Sequence, residues 1–247
     1  MVNTVGSCEN KHWHKKWIPI KKALSLDLRQ KALIIGSLLG DGTMRLGKNA
    51  RNVNFKVEHG LMQKDYVDWK YLILKPFVFT EPKISYRYNE NCIRYAKSWW
   101  FRTIRHPILT QIYRKFYKGE KYRNGKKIIP QEIEGEINPF VLAVWVMDDG
   151  SYSRGKIDIS TYSFSLKEIN TLQEVIKKVF GIKANYYRDR NKGFRMYFNQ
   201  EDTKKLIKLI HPYIISSMMY KIGFRDPVTT GFSPFAKSER KIAYKTL

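Results

Sequence analysis

The chain has 247 residues, 43% of them apolar and 14% aromatic, which is enough to bury one large core or two smaller ones and excludes a disordered composition. Its 46 Lys and Arg against 22 Asp and Glu leave a formal charge of +24, which repels itself unless a polyanion neutralises part of it. The longest apolar runs, near 32–39 and 140–147, are too short to cross a bilayer, and each stops at an aspartate or an Asp pair. Nucleic acid is the expected partner, ahead of a membrane surface, because the basic residues are spread through strand-like segments and not gathered on one amphipathic helix. Cys8 and Cys92 lie far apart without metal-ligand spacing, so neither a zinc site nor a disulfide is expected. The first residues carry lysines but no apolar core of signal-peptide length; the expected setting is intracellular, a prokaryotic cytoplasm or an organelle matrix, with a transit segment left open.

After a basic lead-in, residues 1–25, an apolar helical run ends in Ile34-Ile35-Gly36-Ser37-Leu38-Leu39-Gly40-Asp41-Gly42. The alternation in Val53-Asn54-Phe55-Lys56-Val57-Glu58 then predicts a half-buried strand. Val67, Tyr71, Leu74 and Val78 recur at helical spacing and predict a helix over 64–79, with Pro76 fraying its end. A hairpin with arms 83–88 and 92–101 follows, turning at Asn89-Glu90-Asn91, and His106-Pro107 opens a helical stretch over 108–117.

The order then repeats. Leu142-Ala143-Val144-Trp145-Val146-Met147-Asp148-Asp149-Gly150 is again an apolar run closed by Asp-Gly. It leads to a strand over 156–162, a helix over 166–180 and a hairpin with arms 184–190 and 194–199. His211-Pro212 is read as the counterpart of His106-Pro107, both as helix starts and not as catalytic groups. Each copy also finishes in a lysine among apolar residues, Lys127 and Lys221. The pattern is that of an α+β fold with two αββαββα halves, 26–125 and 139–223, joined by a connector over 126–138 and followed by a tail over 224–247.

One Asp-Gly step is usually a helix-terminating turn. Two such turns, each with the same preceding helix, following strand and downstream lysine, point to function. An aspartate at a helix C-terminus sits at the negative end of the dipole, beside carbonyls without intrahelical partners. Packed side by side, two such helices would hold carboxylates that repel each other unless a divalent cation lies between them. Asp148 aligns with Gly40, which has no side chain, and is therefore expected to act through its backbone carbonyl.

These residues resemble the single-chain LAGLIDADG homing endonucleases, in particular the omega-intron type, whose second motif likewise ends in Met-Asp-Asp-Gly. The resemblance runs from Leu26 to Ile222 and also includes Gln63-Lys64-Asp65-Tyr66-Val67-Asp68-Trp69, Lys126-Lys127-Ile128-Ile129-Pro130 and Met218-Met219-Tyr220-Lys221. It departs at Val144 and Trp145, where the family pattern prefers Gly and Leu, so close glycine-mediated contact is expected only from Gly36 and Gly40. The resemblance implies motif helices at a central interface and antiparallel sheets forming a DNA-binding saddle. It also implies a monomer that cuts both strands of a long duplex target and leaves 3′ overhangs. Asp41 and Asp149 would hold Mg²⁺, helped by the carbonyls of Gly40 and Asp148; Mn²⁺ would substitute, and Ca²⁺ would bind without supporting cleavage. Lys127 and Lys221 match positions where the family places basic residues near each scissile phosphate.

The solvent faces of the strands are expected to read the DNA through Asn54, Lys56, Glu58, Arg87 and Arg94 in the first half, and Lys156, Asp158, Arg188, Arg190 and Arg195 in the second. At least one of Trp99 and Trp100 is expected in the core, and His12 and His14 are assigned no site. Two alternatives remain for the same fold, an intron RNA maturase and a non-catalytic DNA-binding regulator; the retention of both aspartates argues against each as the sole role.

Overall fold

The structure is a computed structural model that describes residues 18–19, 21–47, 50–90, 92–119 and 125–224. Cys8, His12, His14, Asn91 and the tail beyond Phe224 therefore lie outside the described residues.

Two copies of one unit follow each other along the chain. The first comprises α1 (Leu28–Leu39), β1 (Thr43–Leu46), β2 (Val53–Gly60), α2 (Lys64–Leu74), β3 (Lys83–Tyr88), β4 (Arg94–Arg102) and α3 (Pro107–Phe116). A short ladder of β5 (Tyr117–Lys118) and β6 (Lys126–Lys127) and a 3-10 segment (Gln131–Glu136) lead out of it. The second comprises α4 (Pro139–Asp149), β7 (Gly150–Ser153), β8 (Lys156–Ser160), α5 (Leu166–Phe180), β9 (Ala184–Asp189), β10 (Gly193–Phe198) and α6 (Gln200–Ile210). Both sheets are antiparallel with the same strand order, β1-β2-β4-β3 and β7-β8-β10-β9. The duplicated αββαββα layout read from sequence is the observed one.

Local chemistry sets the helix ends. Asp27 and Gln30 form a reciprocal capping box at the start of α1, and Ser165 with Glu168 does the same for α5. Asn138 caps α4 by accepting from the Val141 amide at 3.0 Å, just ahead of Pro139. The helix expected over 64–79 stops at Leu74 and tightens into a 3-10 turn, Lys75–Phe77, because Pro76 has no amide to donate. One expected equivalence fails. His106 does cap α3, its ring accepting from the Ile108 amide, but His211-Pro212 lies at the far end of α6, in a 3-10 turn. The second-half helix begins earlier, because Asn199 caps it immediately after β10 by accepting from the Asp202 amide at 2.8 Å.

The core runs continuously through both halves, and α1 and α4 cross at its centre. Residues 141–148 of α4 and 32–39 of α1 are all buried, which explains why neither helix shows a polar stripe. The crossing is close where glycine permits it. A Cβ on Gly36 would sit 2.7 Å from both the Val141 carbonyl oxygen and the Val144 Cβ, and one on Gly40 would sit 2.5 Å from the Asp148 Cβ. Contact at Val144 and Asp148 thus relies on the glycines of α1 alone, the asymmetry expected from Val144 and Trp145. Gly36→Ala should force the helices apart and lower stability by about 1–3 kcal/mol, read as a lower urea midpoint at unchanged m-value.

Candidate active site

The two Asp-Gly motifs meet where α1 and α4 end. The Asp41 amide donates to Asp148 Oδ2 at 3.2 Å, so the first motif is bonded directly to the second. Asp41 keeps a half-exposed carboxylate, 51% accessible, whereas the Asp148 carboxylate is fully covered. Asp149 is partly buried beside it.

Each motif carries one lysine on its last helical carbonyls. Lys127, from β6, donates to the Gly40 carbonyl at 2.6 Å. Lys221, from the 3-10 segment Ser216–Ile222, donates to the carbonyls of Asp148 at 3.2 Å and Gly150 at 2.9 Å. Gly40 and Asp148 align in the repeat, so the two lysines occupy equivalent places. Both ammoniums are cations set against helix C-termini, which the dipole favours.

Carboxylates and ammoniums crowd this seam. Asp149 is pushed up to about 8, first by desolvation and then by the charges of Asp41 and Asp148, with Lys127 and Lys221 pulling the other way. Asp41 is raised for the same reasons, desolvation first and Asp148 next, against Lys70, Lys127 and Lys221. Burial lowers both Lys127 and Lys221, while the three aspartates hold them charged. These mutual effects place Asp41, Asp148, Asp149, Lys127 and Lys221 within one electrostatic neighbourhood.

Asp148, expected to act through its backbone carbonyl, also engages its side chain. Its carboxylate accepts from the Lys70 ammonium at 2.6 Å and the Tyr66 hydroxyl at 2.7 Å, both fully buried on α2. Lys70 also donates to Ser37 of α1 at 2.9 Å. His59, at the end of β2, lies 3.5 Å from Asp41 Oδ2 and 3.7 Å from Asp148 Oδ1. Burial first and Lys70 second hold His59 down at about 4, so its ring is neutral at physiological pH. One signal was available: Lys70 interrupts an otherwise apolar face between Val67 and Leu74, where an exposed lysine has no place.

The strand faces are placed as follows. In β2 the residues Val53, Phe55, Val57 and His59 are buried while Asn54, Lys56 and Glu58 face outward, as the alternation predicts. Lys56, Glu58, Thr43 and Arg45 line a cleft of about 410 Å³ that opens beside Asp41. Glu58 is held down at about 2 despite some desolvation, because Lys56 and Ser98 each donate to it at 2.5 Å. Asp158, Lys156 and Arg195 share the outer face of the second sheet, where the Arg195 guanidinium donates to the Tyr162 hydroxyl and to Ser151 Oγ, each at 3.2 Å. Arg87 is exposed on β3, and Arg94 stacks on Tyr86 at 3.8 Å. Arg188 departs from the expected face. It pairs with Phe194, on the side of Met196 and Ile159 that the helices cover, so it emerges only at the sheet edge. Arg190 lies in the following turn at φ 47°. Neither Trp99 nor Trp100 is fully buried: Trp99 rests on the core and donates to Asp68 Oδ1 at 2.7 Å, and Trp100 lies 5.0 Å from both Lys56 and Lys83.

A duplicated α+β unit whose central helices deliver aspartates to one seam, met there by lysines from β6 and the 3-10 segment Ser216–Ile222 and flanked by basic sheets, is the scaffold of a single-chain nucleic-acid hydrolase. The chain belongs to the LAGLIDADG DNA endonuclease family, whose profile matches residues 31–206. It is 28% identical over 211 residues to the DNA endonuclease I-ChuI of Chlamydomonas applanata, covering 81% of this chain and 97% of that one. It is also 26% identical over 202 residues to the cytochrome b mRNA maturase bI2 of Debaryomyces hansenii, covering 80% and 75%. The fold matches the homing endonuclease I-WcaI, solved bound to its DNA recognition sequence, with a TM-score of 0.74 and 22% identity over 91% of this chain and 96% of that one.

Lys70→Met would leave the Asp148 carboxylate buried without its cation. The expected cost is about 3–5 kcal/mol of stability, measured by chemical denaturation against the parent protein.

Proposed function

We propose that the protein hydrolyses both strands of a long duplex DNA site with divalent metal held at Asp41 and Asp149, and that it acts as a monomer and leaves 3′ overhangs. The observation that carries this reading is the meeting of the two motifs at the helix seam, where the Asp41 amide donates to the Asp148 carboxylate at 3.2 Å and the charge of Asp41 raises Asp149. The donor set fits hard cations: the half-exposed Asp41 carboxylate, Asp149, and the Gly40 and Asp148 carbonyls, each with a lone pair beyond the one its lysine takes. Mg²⁺ suits these oxygen donors best, with Mn²⁺ able to replace it and Ca²⁺ expected to bind without cutting.

When bound, such a metal supplies Lewis-acid relief of phosphate charge and a more acidic water. The chain's own groups do the rest. Lys127 and Lys221 present ammoniums on either side of the seam, able to offset charge on a scissile phosphate or to orient the attacking water. Direct attack by water requires no covalent intermediate; His59, 3.5 Å from Asp41, and Ser37, hydrogen-bonded to Lys70, are both buried. The outward residues Asn54, Lys56, Glu58, Arg87, Lys156, Asp158 and Arg195 face the DNA as base or phosphate contacts, with Arg94, Arg188 and Arg190 at the margins. Similarity to a cytochrome b mRNA maturase favours intron RNA as a second ligand of the same basic surface.

Asp41→Asn and Asp149→Asn should each abolish double-strand cleavage while specific DNA binding persists, because each removes a metal ligand without removing positive charge. Gel-shift binding and Mg²⁺-dependent linearisation of a target plasmid, with EDTA as control, measure both; unimpaired cutting by either variant refutes the assignment.

The raised Asp149 carboxyl sets the pH dependence. Between its unfolded value near 4 and its folded value of about 8, the metal-free folded state binds the extra proton. The stability of the metal-free protein should therefore fall as pH rises through that window, since the folded state must give up a proton that the unfolded state has already lost. Added Mg²⁺ should stabilise increasingly over the same interval. Thermal melts from pH 5 to 8.5, with and without Mg²⁺, test both slopes.

A further inference from the structure

The two halves differ at one buried diagonal. Where the second motif has Asp148, the first has Gly40; where α2 has Lys70, α5 has Leu172. The second match follows from the buried faces, because Val67, Lys70 and Leu74 have the same spacing as Ile169, Leu172 and Ile176. One diagonal of the repeat is thus a buried ion pair and the other is neutral.

That pair reaches the reacting groups through hydrogen bonds. Ser37 of α1, Lys70 and Tyr66 of α2, and Asp148 of α4 form one buried cluster, with distances of 2.9, 2.6 and 2.7 Å. Its free end is Asp148 Oδ2, which accepts from the main-chain amide of Asp41 at 3.2 Å. The carboxylate belongs to the second half, and all four of its donors or linked groups belong to the first. Among the described residues Asp149 has no comparable side-chain tie, since the residue aligned with Asp148 is a glycine. The cluster is fully buried at Ser37, Tyr66 and Lys70, so solvent cannot substitute for any member.

We propose that Lys70, acting through Asp148, is a positioning residue that fixes the backbone of Asp41 against α4 and makes the two halves of the cutting centre unequal, with one strand cut under tighter positional control than the other. The proposal rests on the endonuclease reading above. Lys70 touches neither DNA nor metal in this scheme; it holds a carboxylate that holds an amide. The Gly42 amide ties that turn to the Ser37 carbonyl of its own helix at 2.7 Å; Asp148 adds the tie across to α4, and a small misplacement of a reacting group is costly in rate.

The test uses the full chain carrying Lys70→Met together with Asp148→Ala, which removes both charges at once and so avoids the unpaired carboxylate of the single variant. Single-turnover cleavage is followed on a duplex target labelled separately on each strand, in Mg²⁺ and in Mn²⁺, alongside DNA affinity and thermal midpoint. The expected result is a lowered thermal midpoint with a cooperative melt and parental DNA affinity, one strand being slowed by about tenfold to a hundredfold and the other by much less. Lys70→Arg, which keeps a cation, should restore more of the slowed strand than Lys70→Met does alone. Parental rates on both strands, or equal slowing of both, overturn the positioning role while leaving the endonuclease reading intact. A parent protein that cuts neither strand with either metal overturns both.

Discussion

Like charges gathered at the ends of two apolar helices are the constraint around which the rest of this protein is arranged. Left alone, Asp41, Asp148 and Asp149 would repel one another beside carbonyls that already carry negative potential. The structure answers with three lysines, each differently placed. Lys70 is buried and pairs directly with Asp148, whereas Lys127 and Lys221 donate to carbonyls and offset the other two carboxylates only from a distance. Charge is balanced in number but not in place, so Asp41 and Asp149 stay raised at the seam.

Packing sets how closely those charges can meet. Gly36 and Gly40 let α1 approach α4 so tightly that a methyl group at either position would overlap its neighbour. The approach also buries both helices on nearly every side, so they bring no polar stripe of their own and depend on the surrounding core for stability. Function and folding are therefore coupled at the same contact: the crossing that stabilises the core is the one that brings the aspartates together. The flanking sheets inherit their placement from it, because β1 and β7 start directly after the two motifs.

Much of this was legible in the sequence, for identifiable reasons. Period-two alternation placed β2 and β8, and polar turn residues placed both hairpins, because those signals are local. The repeat exposed the paired aspartates and lysines, because duplication makes a weak motif visible twice. The short strands β1 and β7 carry too few residues to show a period. His211-Pro212 misled because the dipeptide is compatible with either end of a helix, and the cap that decides the matter, Asn199, lies far upstream. Arg188 could not be assigned a face until the register with Phe194 was known. Tyr66 lies within a recognisable segment and Lys70 directly after it, yet their partner is on a helix of the other half, and nothing local links them.

The buried cluster also bears on why the halves have remained different. In a symmetric assembly of two identical chains, every Asp at the position of Asp148 would face another at the position of Gly40, and the space left by that glycine would not exist. Within one chain the two positions are free to diverge, so an acid can enter where its counterpart is a glycine and a lysine can enter where its counterpart is a leucine. Each substitution alone would bury an unpaired charge, which is costly, whereas together they satisfy one another. Such a pair requires the two positions to differ, as they do within this one chain, and it makes the seam asymmetric.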